Sequence, residues 1–232
     1  MGRKIVQVIV GIVLLLCFPG LSGAQMLIDN AIVYFGKEYP DRRDIEVANT
    51  GKSPLYLRVT PYEITHPGTP EEKKVKASDP RQTGLLVTPA KLVVAPGGRK
   101  RIRFVNLDKN RSAERVFRVL LQPVAGKVKS TQTGLKLLIG YEVLVLAQPA
   151  DIRPDLQAHR NGRELVLDNQ GNVDIYLRDV RQCPPSEKDR SRCQMLRDKR
   201  LYPGNSWSLK LPRNWPVHLE SVIGLKRIPR IF

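Results

Sequence analysis

Two ten-residue stretches, 120 positions apart, constrain this chain more than any other feature. "NTGKSPLYLR" occupies 49–58 and "NQGNVDIYLR" occupies 169–178. Asn, Gly and Tyr-Leu-Arg recur at the same offsets: Asn49, Gly51, Tyr56, Leu57, Arg58, then Asn169, Gly171, Tyr176, Leu177, Arg178. A strand-like run precedes each copy, "DIEVA" and "ELVLD". Asn and Gly two apart between alternating runs read as strand, tight turn, strand, with the Tyr and Leu in or near a core. Two copies predict two domains of one β architecture.

The rest of the chain agrees. Almost every segment alternates with period two, and no stretch sustains a 3.6-residue apolar stripe. "AIVYF" (31–35), "DIEVA" (44–48), "PLYLRVTPYEI" (54–64) and "KLVVA" (91–95) read as strands. "PGG" (96–98) turns into "RKRIRFVN", where Ile102 and Phe104 oppose Arg101 and Arg103. "ERVFRVLLQP" (114–123) and "LKLLIGYEVLVLAQP" (135–149) follow. About seven strands over 125 residues is the count of an immunoglobulin-like sandwich. The polar stretch between Ile64 and Leu85 reads as a long loop, or as an excursion with a small hairpin of its own. "QPADIRPDLQ" (148–157) reads as a linker, and the remaining residues as a smaller sandwich.

Arg3 and Lys4, the apolar run Ile5–Phe18 and the small residues Ser22-Gly23-Ala24 form an export signal, with cleavage expected after Ala24. The run is short of the roughly 20 residues a membrane span needs. The expected units are therefore 1–24 as signal peptide, 25–149 as first domain and 150–232 as second. Cleavage leaves 208 residues and takes the net charge from +17 to +15. It also leaves two cysteines, Cys183 and Cys193, which should pair in an oxidising compartment. Such a staple stabilises by roughly 2–3 kcal/mol. The excess of basic residues raises nucleic acid as a partner, but the basic residues are interspersed with acids and aromatics are few. A solvated basic face, or one matched to an acidic protein partner, is the better account.

GxSxG, HExxH, a phosphate-cradling loop and framed carboxylate pairs are all absent from the sequence. An enzyme is not expected, and neither is a cofactor or metal. The strand "TGLKLLIGYEVLVLAQP" (133–149) stands out instead. Leu135, Leu137, Ile139, Tyr141, Val143 and Val145 share one face. Proteins normally blunt a long apolar edge strand; leaving one unblunted makes sense if another chain pairs with it.

"VTPAKLVVAPGGRKRIRFVN", then "ERVFRVLLQP", then an alternating strand ending in Pro149, with "VANTG" early in the chain, resembles the periplasmic pilus-assembly chaperones of the chaperone–usher pathway. The cysteine pair before "YPGNSWSL" is more similar to the alternative, common-pilus-type branch. The resemblance implies an all-β chain of two immunoglobulin-like β-sandwich domains in a boomerang arrangement. It implies no cofactor, location in the periplasm, and two partners: a pilus subunit (pilin) lacking its last strand, and an outer-membrane usher. The chaperone lends its own strand to the pilin, main-chain hydrogen bonds giving affinity and alternate side chains giving fit. Counted back from Pro149, the donor residues fall on Leu135, Leu137 and Ile139. Burying three such side chains contributes roughly 5–9 kcal/mol before ordering costs. A free chaperone could cap the same strand with a second copy of itself.

At one place the resemblance fails. The P-pilus type grips the pilin's terminal carboxylate with an Arg in the first strand and a Lys late in the donor strand. Those positions hold Ala31 and Leu144 here. Arg103 and Lys136 are the candidate replacements, Arg favoured because its planar fork matches a carboxylate. The rival reading is a structural pilus subunit or adhesin, which should carry a free N-terminal extension; only "QMLIDN" separates the expected cut from the first strand. A carbohydrate-binding module comes third, with Trp207 and Trp215 the only tryptophans.

Overall fold

The computed structural model describes residues 26–124, 138–185 and 192–232. The leader and three of the singled-out residues, Leu135, Lys136 and Leu137, lie outside them. Alternation drives the architecture. In Arg42–Asn49 (β3) and Arg99–Asn106 (β8) every second residue from Ile45 and from Ile102 onward is buried, because a pleated strand sends successive side chains to opposite faces. Ile45, Val47, Ile102 and Phe104 therefore enter one core while Glu46 and Arg103 between them face outward.

The first domain is a sandwich of two sheets. One runs β1 (Met26–Ile28), β3, β8, β6 (Leu85–Thr88). The other runs β2 (Ile32–Phe35), β10 (Tyr141–Ala147), β9 (Arg115–Pro123), β4 (Leu55–Thr65). Two short strands, β5 (Lys73–Lys76) and β7 (Lys91–Val94), both pair with β4. Phe35, Phe104, Phe117, Leu121, Val143 and Val145 fill the space between the sheets. The second domain packs β11 (Leu156–Asn161), β12 (Glu164–Asn169) and β16 (Ser206–Lys210) on a second sheet. That sheet runs β14 (Gln194–Met195), β13 (Ile175–Gln182), β17 (Val217–Ile223), β18 (Lys226–Ile231), with β15 (Lys199–Leu201) also on β13. Leu165, Leu167, Ile175, Leu177 and Leu219 form its core, and a disulfide joins Cys183 to Cys193.

The repeat is a real structural unit, and deeper than its letters. Asn49 is buried; its Nδ2 donates to the carbonyls of Ser53 (2.8 Å) and Val94 (2.9 Å), and its Oδ1 accepts from the Gly51 N–H (2.9 Å). Asn169 does the same with Val173 (2.8 Å), Leu201 (2.9 Å) and Gly171 (3.0 Å). Each Asn also exchanges main-chain hydrogen bonds with a second turn, Pro96-Gly97-Gly98 or Pro203-Gly204-Asn205. Gly97 and Gly204 take matching left-handed conformations there (φ 69° and 79°).

Three expectations need correction. Tyr56 is 47% exposed, because it shares the outward face of β4 with Arg58, whereas Leu57 and Leu177 are buried. Met26–Ile28, read as a connector, is a strand: its backbone pairs with Val47–Asn49. The hairpin between Ile64 and Leu85 is not self-contained, because one of its two strands is the end of β4, Tyr62 to Thr65. The chain returns along β4 as β5, makes one turn of helix α1 (Pro80–Thr83) capped by Asp79, and leaves through Gly84.

Candidate functional site

The strand singled out by its sequence, β10, is read best from its edges. β10 pairs with β9 along its whole length, Tyr141 opposite Leu121 through Ala147 opposite Arg115. On its other edge the parallel partner β2 covers only Leu144 to Ala147. The chain reaches β2 from β1 in the opposite sheet, and the switch at 29–31 is locked by local side chains. The Ile32 N–H donates to Asn30 Oδ1 (3.0 Å), and the Glu46 N–H donates to Asp29 Oδ1 (2.9 Å). Among the described residues, the β2-side edge of β10 has no strand partner from Tyr141 to Val143. An unpaired row of N–H and C=O groups at that edge is a template for another strand.

Side chains along this edge change character in the same order. Val143 and Val145 are core residues, and Tyr141 packs on the core while its hydroxyl donates to the Met26 carbonyl (3.2 Å). Two residues before Tyr141, Ile139 is 55% exposed. Gly140 lies close against β9: a Cβ on it would sit 3.0 Å from the Leu121 carbonyl oxygen. The chain therefore enters β10 from the surface, with the apolar Ile139 outside the core.

Ala31 and Leu144 are brought together, the Leu144 N–H donating to the Ala31 carbonyl (2.9 Å). The two non-basic positions are thus true neighbours. Arg103 lies elsewhere, on the outer face of the other sheet. Both arms of its guanidinium fork bind Asp44, at 2.9 Å each. The hydrogen bond from Arg103 holds the Asp44 carboxyl below the usual carboxylate range and raises the guanidinium in turn. Sequence reasoning missed a nearer cation: Arg118 of β9 is directly across from Leu144, paired to Glu72 at 2.9 Å. Cross-strand position is a property of register, and nothing near Arg118 in the chain announces it.

The second domain closes one end of this surface. Leu146, Ile64 and Val116, on the outer face of the β2–β10–β9–β4 sheet, pack with Tyr202, flanked by Ile32, Tyr34 and Leu144. Asn205 Nδ2 donates to the Pro67 carbonyl (2.9 Å), and Asn172 Nδ2 to that of Ser112 (3.3 Å). The open edge of β10 thus runs into an apolar seam between domains. Among the described residues no cluster of His, Cys, Asp and Glu has metal-binding geometry.

No family model matches the chain. Among curated proteins, a CS1 fimbrial subunit of Escherichia coli is 29% identical over 191 residues, 78% of this chain and 79% of that one. A CFA/I fimbrial subunit of Escherichia coli is 28% identical over 193 residues, 76% and 80% of the two chains. Among solved structures, the class 5 fimbriae chaperone CfaA superposes with a TM-score of 0.66 and 24% identity over 89% of this chain and 98% of its own. A chain of the chaperone–tip adhesin complex of CFA/I fimbriae biogenesis gives 0.63 and 24% over 90% and 98%. The periplasmic chaperone SfaE gives 0.59 and 13% over 88% and 98%. The fold is the two-domain β-sandwich fold of these chaperones.

Proposed function

We propose that this chain is a periplasmic chaperone of fimbrial subunits, which completes an unfinished pilin sandwich with its own strand and delivers it to an outer-membrane usher. The observation that carries the reading is the half-covered β10. Its core half is anchored between β9 and β2, and its leading half offers an open edge and an exposed Ile139. A pilin lacking its last strand would add to that edge as β-augmentation, with Leu135, Leu137 and Ile139 filling its groove. Export through the 1–24 leader and the shared fold of the solved fimbriae chaperones support the same reading.

The names of the two curated relatives favour a structural fimbrial subunit instead. Two features weigh against that. Both sandwiches have two sheets, and residues 26–28 are committed to a sheet rather than forming a free extension.

For the pilin's terminal carboxylate, Lys136 and Arg118 are the better candidates. Arg103 would have to abandon a two-point fork with Asp44 and sits on the wrong sheet, whereas Arg118 flanks the Ala31–Leu144 pair. An Arg can exchange one carboxylate for another at little cost when both are half-exposed.

Co-purification from the periplasm with the fimbrial pilin tests the reading. Wild type should retain the pilin, and Leu137→Glu and Ile139→Glu should lose it while remaining folded, since a carboxylate finds no partner in an apolar groove. Folded variants that hold the pilin no less firmly than wild type would remove the strand from the mechanism. Arg118→Ala should weaken capture without abolishing it.

A further inference from the structure

Three charged groups from distant parts of the chain meet where the domains touch, and the proposed function does not use them. Glu114 precedes β9 in the first domain, Asp174 precedes β13 in the second, and Arg200 lies in β15. Asp174 is 1% exposed. Its backbone N–H donates to Glu114 Oε1 (3.2 Å), the Glu114 N–H donates to the Asn172 carbonyl (3.1 Å), and Arg200 pairs with Asp174 Oδ2. Glu114 as a residue is half-buried, but its carboxyl end is not: Oε2 is sealed from solvent, as is Asp174 Oδ1, and neither has a partner.

Two ionised carboxylates are acceptors only, so side by side they leave both oxygens orphaned and one negative charge unmatched by the single Arg200. One proton removes both faults. We propose that Glu114 keeps its proton at neutral pH and donates it to Asp174, so that Glu114, Asp174 and Arg200 form a neutral clasp that positions the second domain against the first. Burial, and then the charge of Asp174, push the Glu114 carboxyl well above the usual range. Burial also raises Asp174, with Arg200 pulling it back.

The other groups facing the clasp do not titrate in the same range. Tyr34 of β2, Tyr202 after β15 and Tyr176 of β13 are all raised, chiefly by burial, and Tyr39 is pushed up to about 12. Tyr39 stacks on Tyr34 at 5.3 Å, and Arg200 lies 4.9 Å over the Tyr176 ring. Arg118 lies near Tyr202 and pulls its hydroxyl back down.

The sign follows from proton counts. Between the ordinary glutamate pKa and the raised folded value, the folded chain holds a proton that the unfolded chain has released. Stability is full below that window, falls as pH rises through it, and is level above it. The experiment is thermal unfolding of the mature, oxidised chain from pH 5 to 8, wild type against Glu114→Gln, whose amide can donate the same hydrogen bond without titrating. Wild-type Tm should fall relative to the variant by roughly 3–5 °C for each unit that the Glu114 pKa is raised. Parallel pH profiles would overturn the proposal. Carboxyl ¹³C titration of the wild type gives an answer even if the variant does not fold: one glutamate should stay protonated after the others ionise, and a set fully ionised by pH 6 would refute the clasp. Any effect of the clasp on pilin capture rests on the chaperone reading; the titration does not, so the two can fail separately.

Discussion

The two copies of the Asn-x-Gly turn make the same hydrogen bonds within their own sandwiches but face different surroundings. Around 49–53 the hydrogen bonds of the turn go to its own domain: Asn49 reaches Ser53 and Val94, and its backbone reaches Gly97 and Gly98. Around 169–173 the same pattern is overlaid with contacts to the linker and the other domain. Gln170 and Asn172 donate main-chain N–H groups to the carbonyls of Asp155 and Arg153, and Asn172 Nδ2 reaches Ser112 and Asp151. The position filled by Pro54 in the first copy holds Asp174 in the second. A turn that serves only to close a sandwich can carry Pro; the copy at the domain interface carries the buried acid of the clasp. One local motif thus serves as scaffold in one place and as a joint in the other.

Removing the shared asparagine should have the largest effect. Asn49→Ala and Asn169→Ala each remove three hydrogen bonds, two of the partner carbonyls being buried at Asn169 and one at Asn49, at about 2–5 kcal/mol apiece. Urea unfolding should show comparable losses in both, with only Asn169→Ala also loosening the domain contact, seen as faster amide exchange around Ser112. Equal loosening in both would break the distinction between scaffold and joint. Gly171→Ala comes next. Its Cβ would lie 2.5 Å from the Arg153 carbonyl oxygen and 2.7 Å from the Asp155 nitrogen, both backbone atoms that cannot swing away. We expect a loss of about 1–3 kcal/mol by the same assay.

Gly97→Ala and Gly204→Ala sharpen the equivalence instead. Both glycines are left-handed with nothing within 4 Å of an added Cβ. Each substitution should therefore cost only the conformational penalty, about 1–2 kcal/mol, and the same in both domains. The smallest effect belongs to Asp44, an acid outside the interface. Its carboxyl is lowered by Arg103, so its contribution is present above the ordinary carboxylate pKa and fades as pH falls through the depressed value. Asp44→Asn should flatten only the acid limb of the stability profile, opposite in sign to the dependence expected of Glu114.

Much of the fold was legible because its cues are local. Period-two burial in β3 and β8 and the Asn and Gly of the turns act within a few residues, so the string exposes them directly. The alternation of Tyr141, Val143 and Val145 was legible for the same reason, whereas the donor role proposed for the residues before them rests on the resemblance. Arg103 shows the limit. Alternation placed it correctly on an outer face, but Asp44, 59 residues away, already occupies its fork. Arg118 shows the reverse, a cation whose place opposite Leu144 is set by register alone.

By itself, then, the amino-acid order determined two alternating, turn-punctuated β units, the pairing of two cysteines and the alternating apolar face of β10. Each follows from side-chain direction, backbone propensity or chain proximity. The tertiary structure alone decided which edge of β10 stays open, because that depends on where residues 29–31 cross between sheets. It alone decided which copy of the repeat faces the other domain, and that Glu114, Asp174 and Arg200 share one buried site. Those outcomes depend on low-dielectric contacts between residues that no local pattern connects.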